Sequence, residues 1–158
     1  NGIDTIRQSS GLIIKNDGTL DISGSSGAQT LRGLSGDEFA AIVLGNNSLV
    51  LDSDLSSTYA GRIVGVGTFI KNGTGTLTLT STSTNFSGGM IVNGGTVQIG
   101  DGNFNMGSTG TGPITLNNNA VLEFNHRVGL PNIGSAITGT GTVRNTGQGN
   151  TTLSGNNT

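Results

Sequence analysis

Single apolar residues recur two positions apart along this chain, in short runs separated by Gly- and Asn-rich punctuation. An apolar, any, apolar triplet returns at Leu20-Asp21-Ile22, Leu49-Val50-Leu51, Leu77-Thr78-Leu79, Val97-Gln98-Ile99 and Leu122-Glu123-Phe124, with a degenerate echo at Thr151-Thr152-Leu153. Their first residues lie 29, 28, 20, 25 and 29 positions apart. These are lengths of one solenoid coil, not of hairpins in a globular sheet. Read as one row, the triplets stack about six coils, each strand pairing with its equivalents above and below at about 4.8 Å.

The expected strands are 12–15, 19–22, 41–44, 48–51, 68–71, 76–80, 90–93, 96–99, 114–116, 120–124 and 141–144. Several form close pairs across a turn, and the coil-length repeat favours a bend between two faces over a hairpin. The period of two turns Leu77 and Leu79 inward and leaves Thr76, Thr78 and Thr80 to water, so the exterior becomes a Thr and Asn lattice. Gly18, Gly75 and Gly95 stand at expected corners, where positive φ or close backbone approach excludes a side chain. Residues 36–41 are the one stretch able to make a helical turn, and they serve equally as a lead into the next strand.

Composition sharpens this picture. Gly, Thr, Asn and Ser supply 85 of the 158 residues, polarity that suggests disorder until the alternation of β-branched residues is noticed. With five Phe, one Tyr and no Trp, a narrow tube lined by Leu, Ile and Val suits the inventory better than a thick core. Cysteine is absent, which removes disulfides and thiolate metal sites. Seven basic residues and a net charge of −2 argue against nucleic acid, whose phosphates demand dense Lys and Arg. No apolar run approaches the roughly 18 residues of a membrane helix, and the opening Asn1-Gly2-Ile3-Asp4 is not a signal peptide, so direct membrane insertion of this segment is not expected.

Neither end reads as a boundary. Residues 139–145 restate 65–71, and the expected last coil lacks the atypical cap with which repeat proteins cover an open edge. The expectation is one β-helix segment, 1–158, of a larger protein, with its best repeat at 65–102 and a partial one at 139–158.

Gly73-Thr74-Gly75-Thr76-Leu77-Thr78-Leu79-Thr80, followed by Asn85-Phe86-Ser87-Gly88-Gly89-Met90-Ile91-Val92-Asn93-Gly94-Gly95-Thr96-Val97-Gln98-Ile99-Gly100-Asp101-Gly102, resembles the passenger-associated transport repeat of bacterial autotransporters. Agreement is nearly position for position over 65–102, and Gly112-Pro113-Ile114-Thr115-Leu116 with Leu122-Glu123-Phe124 continues in the same manner. Phe86 stands where Tyr is common and Met90 where Thr is common. The resemblance implies an all-β, right-handed parallel β-helix, exported by type V secretion through periplasm and outer membrane. It also implies a C-terminal outer-membrane β-barrel in the same polypeptide, and a repeat that serves passenger folding and export.

Reactive chemistry finds few footholds. The one histidine, His126, follows a strand, and no Ser sits in a Gly-x-Ser-x-Gly elbow to complete a triad; a surface-loop histidine is expected. Asp37 with Glu38, and Asp52 with Asp54, are the carboxylate pairs that a glycosidase or lyase would need. Only Tyr59 and Arg62 accompany the second pair, and solvated turn acids explain both. Asp52-Ser53-Asp54 and Asp101-Gly102-Asn103 offer oxygen ligands for calcium without completing a known loop. The Gly-rich 107–112 lacks the Lys of a phosphate-cradling loop. Asn-x-Ser/Thr triplets at Asn46, Asn72, Asn85, Asn150 and Asn156 follow from composition. Catalytic, cofactor and metal residues are therefore assigned as none.

The functional expectation is a non-enzymatic, structural and adhesive stalk at the bacterial surface or secreted. Polar faces and the loops 24–30, 53–61 and 101–112 would meet a cell-surface receptor, a glycan or another copy. The alternative is a polysaccharide-acting enzyme on the same scaffold, which would gather Asp37, Glu38, Asp52 and Asp54 with Arg62 in one cleft.

Overall fold

A computed structural model describes residues 11–104, 106–129 and 131–158; the opening ten positions of the expected segment, position 105 of the expected loop 101–112, and position 130 lie outside the described residues. Every strand pair among the described residues is parallel, and the chain winds as a β-solenoid of about seven turns, one more than the triplet row suggests.

The first coil holds β1 (Leu12–Ile14), β2 (Thr19–Asp21) and β3 (Gln29–Leu31), and the second holds β4 (Leu34–Gly36), β5 (Ala41–Val43) and β6 (Leu49–Asp52). The third follows with β7 (Ser57–Tyr59), β8 (Arg62–Gly65) and β9 (Phe69–Asn72), the fourth with β10 (Thr76–Leu79), β11 (Asn85–Phe86) and β12 (Met90–Val92). The fifth has β13 (Thr96–Ile99) and β14 (Ile114–Leu116), the sixth β15 (Val121–Phe124), β16 (Asn132–Ile133) and β17 (Ile137–Gly139), and the last β18 (Thr142–Asn145) and β19 (Thr152–Leu153). Stacking yields a first face of β1-β4-β7-β10-β13-β15-β18, a second of β2-β5-β8-β11 resumed by β16-β19, and a third of β3-β6-β9-β12-β14-β17.

Register fixes the coil length. Leu12 pairs with Leu34, Gly36 with Tyr59, Leu77 with Val97, Val97 with Leu122 and Leu122 with Val143. A coil is thus as short as the step from Leu77 to Val97 and as long as the step from Val97 to Leu122. The five triplets are therefore not one row. Leu77, Val97 and Leu122 align on the first face, whereas Leu20 pairs with Ile42 on the second and Leu49 with Phe69 on the third. Each coil carries up to three strands, all with the same apolar alternation, so a triplet alone does not reveal its face. The two longer intervals, from Leu20 to Leu49 and from Leu49 to Leu77, exceed one coil for this reason.

Inside, the rows meet as one core. Tyr59, Leu79, Ile99 and Phe124 form one row of the first face, and Leu49, Phe69, Met90, Ile114 and Ile137 one row of the third. All are buried. Phe69 and Phe86 approach from the third and second faces with ring centroids 6.3 Å apart and planes at 56°, a tilted contact favoured by the ring quadrupoles. Gly36 sits under Tyr59, where a Cβ would come within 2.7 Å of the ring. In the last coil Val143 and Leu153 continue the inner rows of Leu122 and Ile133 and are 37% and 42% exposed.

Corners are built as expected at Gly95, whose φ is 66° and whose Cβ would lie 2.4 Å from the Gly75 carbonyl. Residues 36–41 make no helix. They close a turn in which the Ala40 N–H donates to the Asp37 carbonyl at 3.2 Å before β5 begins. Two expected loops are ordered wall: 53–61 contains β7 with Tyr59 fully buried, and 24–30 runs into β3 with Gln29 buried. In the expected loop 101–112, the described residues 101–104 and 106–112 form no strand, so the fifth coil has no second-face strand among the described residues.

Leu77→Ala, in the inner row, is expected to cost about 2–5 kcal/mol in urea unfolding followed by circular dichroism. Thr78→Ala, on the outer side of the same strand, should stay within about 0.5 kcal/mol. Equal costs would mean that the aliphatic rows do not hold the coils together.

Candidate functional site

The two carboxylate pairs that an enzyme would gather lie at different corners. Asp37 is at the corner between the first and second faces, Asp52 and Asp54 at the corner between the third and first, and Arg62 opens β8 on the second. Asp37 accepts the Asn16 N–H at 2.7 Å. Asp54 accepts both the N–H and the hydroxyl of Thr74, at 2.8 and 2.9 Å, and these bonds hold its carboxyl below the usual range. Asp37 and Asp54 thus each staple one coil to the next. Among the described residues no group of three His, Cys, Asp or Glu is placed to hold a metal ion, and no helix is long and apolar enough to cross a membrane.

His126 departs from expectation. It is fully buried rather than on a surface loop, because the corner after β15 turns it inward beneath Gly147 and Gly149, where added Cβ atoms would strike its backbone and ring. Its Nε2 lies 3.2 Å from the Thr151 hydroxyl and 3.4 Å from the Asn150 carbonyl, and its ring stands edge-on to Phe124 at 6.4 Å. Among the described residues no carboxylate bonds its Nδ1 to complete a triad with a hydroxyl on Nε2. It is a packing residue of the sixth and seventh coils.

Lys71 is the residue that the alternation pattern should have exposed and did not. In β9 it shares a side with Phe69, so it occupies the inner row between Leu51 and Val92. Its side chain is fully buried, and its Nζ donates to the carbonyls of Asn72, Gly73 and Ser53 at 2.6, 3.0 and 3.4 Å. The methylene stem fills an aliphatic slot while the ammonium ties down a corner. Burial pushes its pKa down, and the charges of Asp54 and Asp52 pull it partly back.

Outside, the third-to-first corner carries an asparagine ladder. Asn93 Nδ2 donates to Asn72 Oδ1 and Asn117 Nδ2 to Asn93 Oδ1, both at 2.8 Å. The outer side of the first face presents Thr58, Thr78, Gln98, Glu123 and Arg144 in register. The expected hydroxyl and amide lattice holds here at Thr58, Thr78 and Gln98 and gives way to an ion pair, whereas the outer row of the third face is apolar at Val50, Ile70 and Ile91. Burial alone would raise the Glu123 pKa. Hydrogen bonds from Thr146 (Oγ1 to Oε1, 2.7 Å) and Arg144 (Nε to Oε2, 2.9 Å), with the guanidinium charge, outweigh it and hold the carboxyl below its ordinary range.

Because the folded-state value is depressed, the Glu123 contribution is present above the unfolded value near 4.5 and is lost as pH falls through the folded one. Wild type should exceed Glu123→Gln by about 1 kcal/mol at pH 7, and the gap should close by pH 3. Amide exchange of β18, compared at the two pH values, reads it; a gap that persists in acid would show that the carboxylate charge is not involved.

Comparison with known proteins adds identity to this geometry. Residues 69–99 match the passenger-associated-transport-repeat. An 81-residue stretch, half of this chain, is 35% identical to the adhesin BmaC autotransporter of Brucella suis biovar 1 (strain 1330), of which it spans 2%. No solved structure matches. Both matches agree with the resemblance carried by residues 65–102: a β-solenoid bearing the repeat of autotransporter passengers.

Proposed function

We propose that this stretch of autotransporter-like passenger is a non-enzymatic stalk that templates folding during export and presents adhesive faces at the bacterial surface. In this reading a C-terminal barrel of the same polypeptide anchors or releases it. The supporting observation is how the matched repeat lies in the fold. It runs from β9 to β13, and within it β9 meets β12 and β10 meets β13. One repeat is thus a full winding that closes on itself, pairing Phe69 with Met90 and Leu77 with Val97.

That closure matters for a chain that emerges unfolded. The entropic cost of joining two strands rises with the loop between them, and the spans closed here, Phe69 to Met90 and Leu77 to Val97, are at the short end for this solenoid. Each new coil then adds to an existing template. The two acid pairs sit at different corners, and Asp37 and Asp54 are taken up in coil-to-coil hydrogen bonds; this supports the stalk over the polysaccharide-acting alternative, which would need two available carboxylates across one bond.

Leu79→Ala, within the repeat, is expected to slow refolding of the purified chain, whereas Leu51→Ala outside it should mainly speed unfolding. Stopped-flow fluorescence of a probe dye separates the two rates. Beads coated with the chain should bind host-cell monolayers above albumin-coated beads and release no reducing sugar from polysaccharides. Binding at the albumin level removes the adhesive role, and sugar release would favour the enzyme.

A further inference from the structure

A polar cleft of about 380 Å³ opens where the corner segments of the fifth, sixth and seventh coils stack, between the first and second faces. That volume is within the range of small-ligand sites. Its walls carry three side-chain amides, those of Asn103, Asn125 and Gln148, with Arg127 and Thr146 beside them. Among the described residues, none of these amides is held by an intramolecular hydrogen bond of its own.

The floor is rigid. The Gly102 N–H donates to the Asn125 carbonyl at 2.8 Å, the Arg127 N–H to the Asn103 carbonyl at 3.2 Å, and the Thr146 N–H to the Phe124 carbonyl at 2.9 Å. Gly102, with φ of 81°, leaves room for the Asn125 amide, which a Cβ there would approach to 3.1 Å.

Charge and an aromatic ring narrow the ligand class. The guanidinium of Arg127 lies 5.7 Å from the centroid of Phe104, a cation–π contact, and no carboxylate pairs with it among the described residues. Phe104 stays 72% exposed. Neither Glu123 nor Asp101 lines the cleft: Glu123 is held by Arg144 and Thr146, and one oxygen of Asp101 accepts the Asn103 N–H at 2.9 Å. Amides match the paired donor and acceptor of vicinal sugar hydroxyls. An exposed ring covers the apolar face of a pyranose, and an arginine binds a carboxylate or sulfate through two parallel bonds.

We infer that this cleft is a subsite for an acidic saccharide, its anionic group on Arg127 and its ring against Phe104. The inference rests on the adhesive reading and gives it a ligand. Titration calorimetry of the whole chain with a hyaluronan tetrasaccharide, a heparin tetrasaccharide and maltotetraose tests it. Binding of either acidic sugar and not of maltotetraose is expected, and the arm that binds tells carboxylate from sulfate. Arg127→Gln should weaken that binding about tenfold or more, and Phe104→Ala should also weaken it, with circular dichroism unchanged in both. Should neither acidic sugar bind, should maltotetraose bind equally, or should Arg127→Gln leave affinity intact, the subsite is overturned. Should Arg127→Gln lose its fold, Asn103→Ala takes its place, and unchanged affinity there overturns the subsite as well. Bead adhesion, measured separately, then decides whether the adhesive reading fails with it.

Discussion

Every coil of this molecule depends on the coil beside it. A single winding, such as the one from Leu77 to Val97, holds too little apolar surface to repay the entropy of ordering its backbone. What closes the balance is the parallel ladder, which satisfies both edges of an interior strand, together with inner rows such as Tyr59-Leu79-Ile99-Phe124, in which each side chain is covered by the next. Stability is therefore a property of neighbours, and a defect in one row is felt by the coils on either side of it.

The same dependence explains what could be read from residues alone. Alternation and punctuation disclosed the solenoid, eleven of the nineteen strands among the described residues and outward positions such as Thr76 and Thr78, because each is local to a few residues; β3, β4, β7, β8, β17 and β19 were not among the expected strands. Face assignment was not local. Leu20, Leu49 and Leu77 carry equal triplets and lie on three different faces, and only the pairing register tells them apart. Short strands such as β11 and β16, of two residues each, have no period to detect. The burial of His126 escaped for a related reason: it is imposed by Gly147 and Gly149, a coil away in the stack.

Lys71 illustrates how a polar residue survives inside such a tube. The row position demands a long, slender side chain between Leu51 and Val92, and four methylenes supply it. The ammonium then has to find partners, and the corner supplies three carbonyls within reach. An isolated charge in that place would be prohibitive. A corner, where the chain turns and carbonyls diverge from the ladder, is the one part of a coil able to accept it. Asn72, Asn93 and Asn117 answer the same need for polar pairing one layer further out, passing an amide bond from coil to coil.

Such a scaffold also dictates where recognition can develop. Flat faces expose one row of side chains per level, such as Thr58, Thr78 and Gln98 on the first and Val50, Ile70 and Ile91 on the third, so they offer many weak contacts. Specificity requires a break in the repeat, and the break here is at the fifth coil, which makes the longest step of the first face, from Thr96 to Val121, and has no second-face strand among the described residues. The added length carries Phe104 and Asn103 outward, beside Arg127 and Asn125 of the coil that follows. A side-chain set that no single coil could present is thereby assembled from three, while the ladder beneath it stays unbroken on the first face. The irregular coil gains its distinct surface without surrendering the pairing that keeps its neighbours folded.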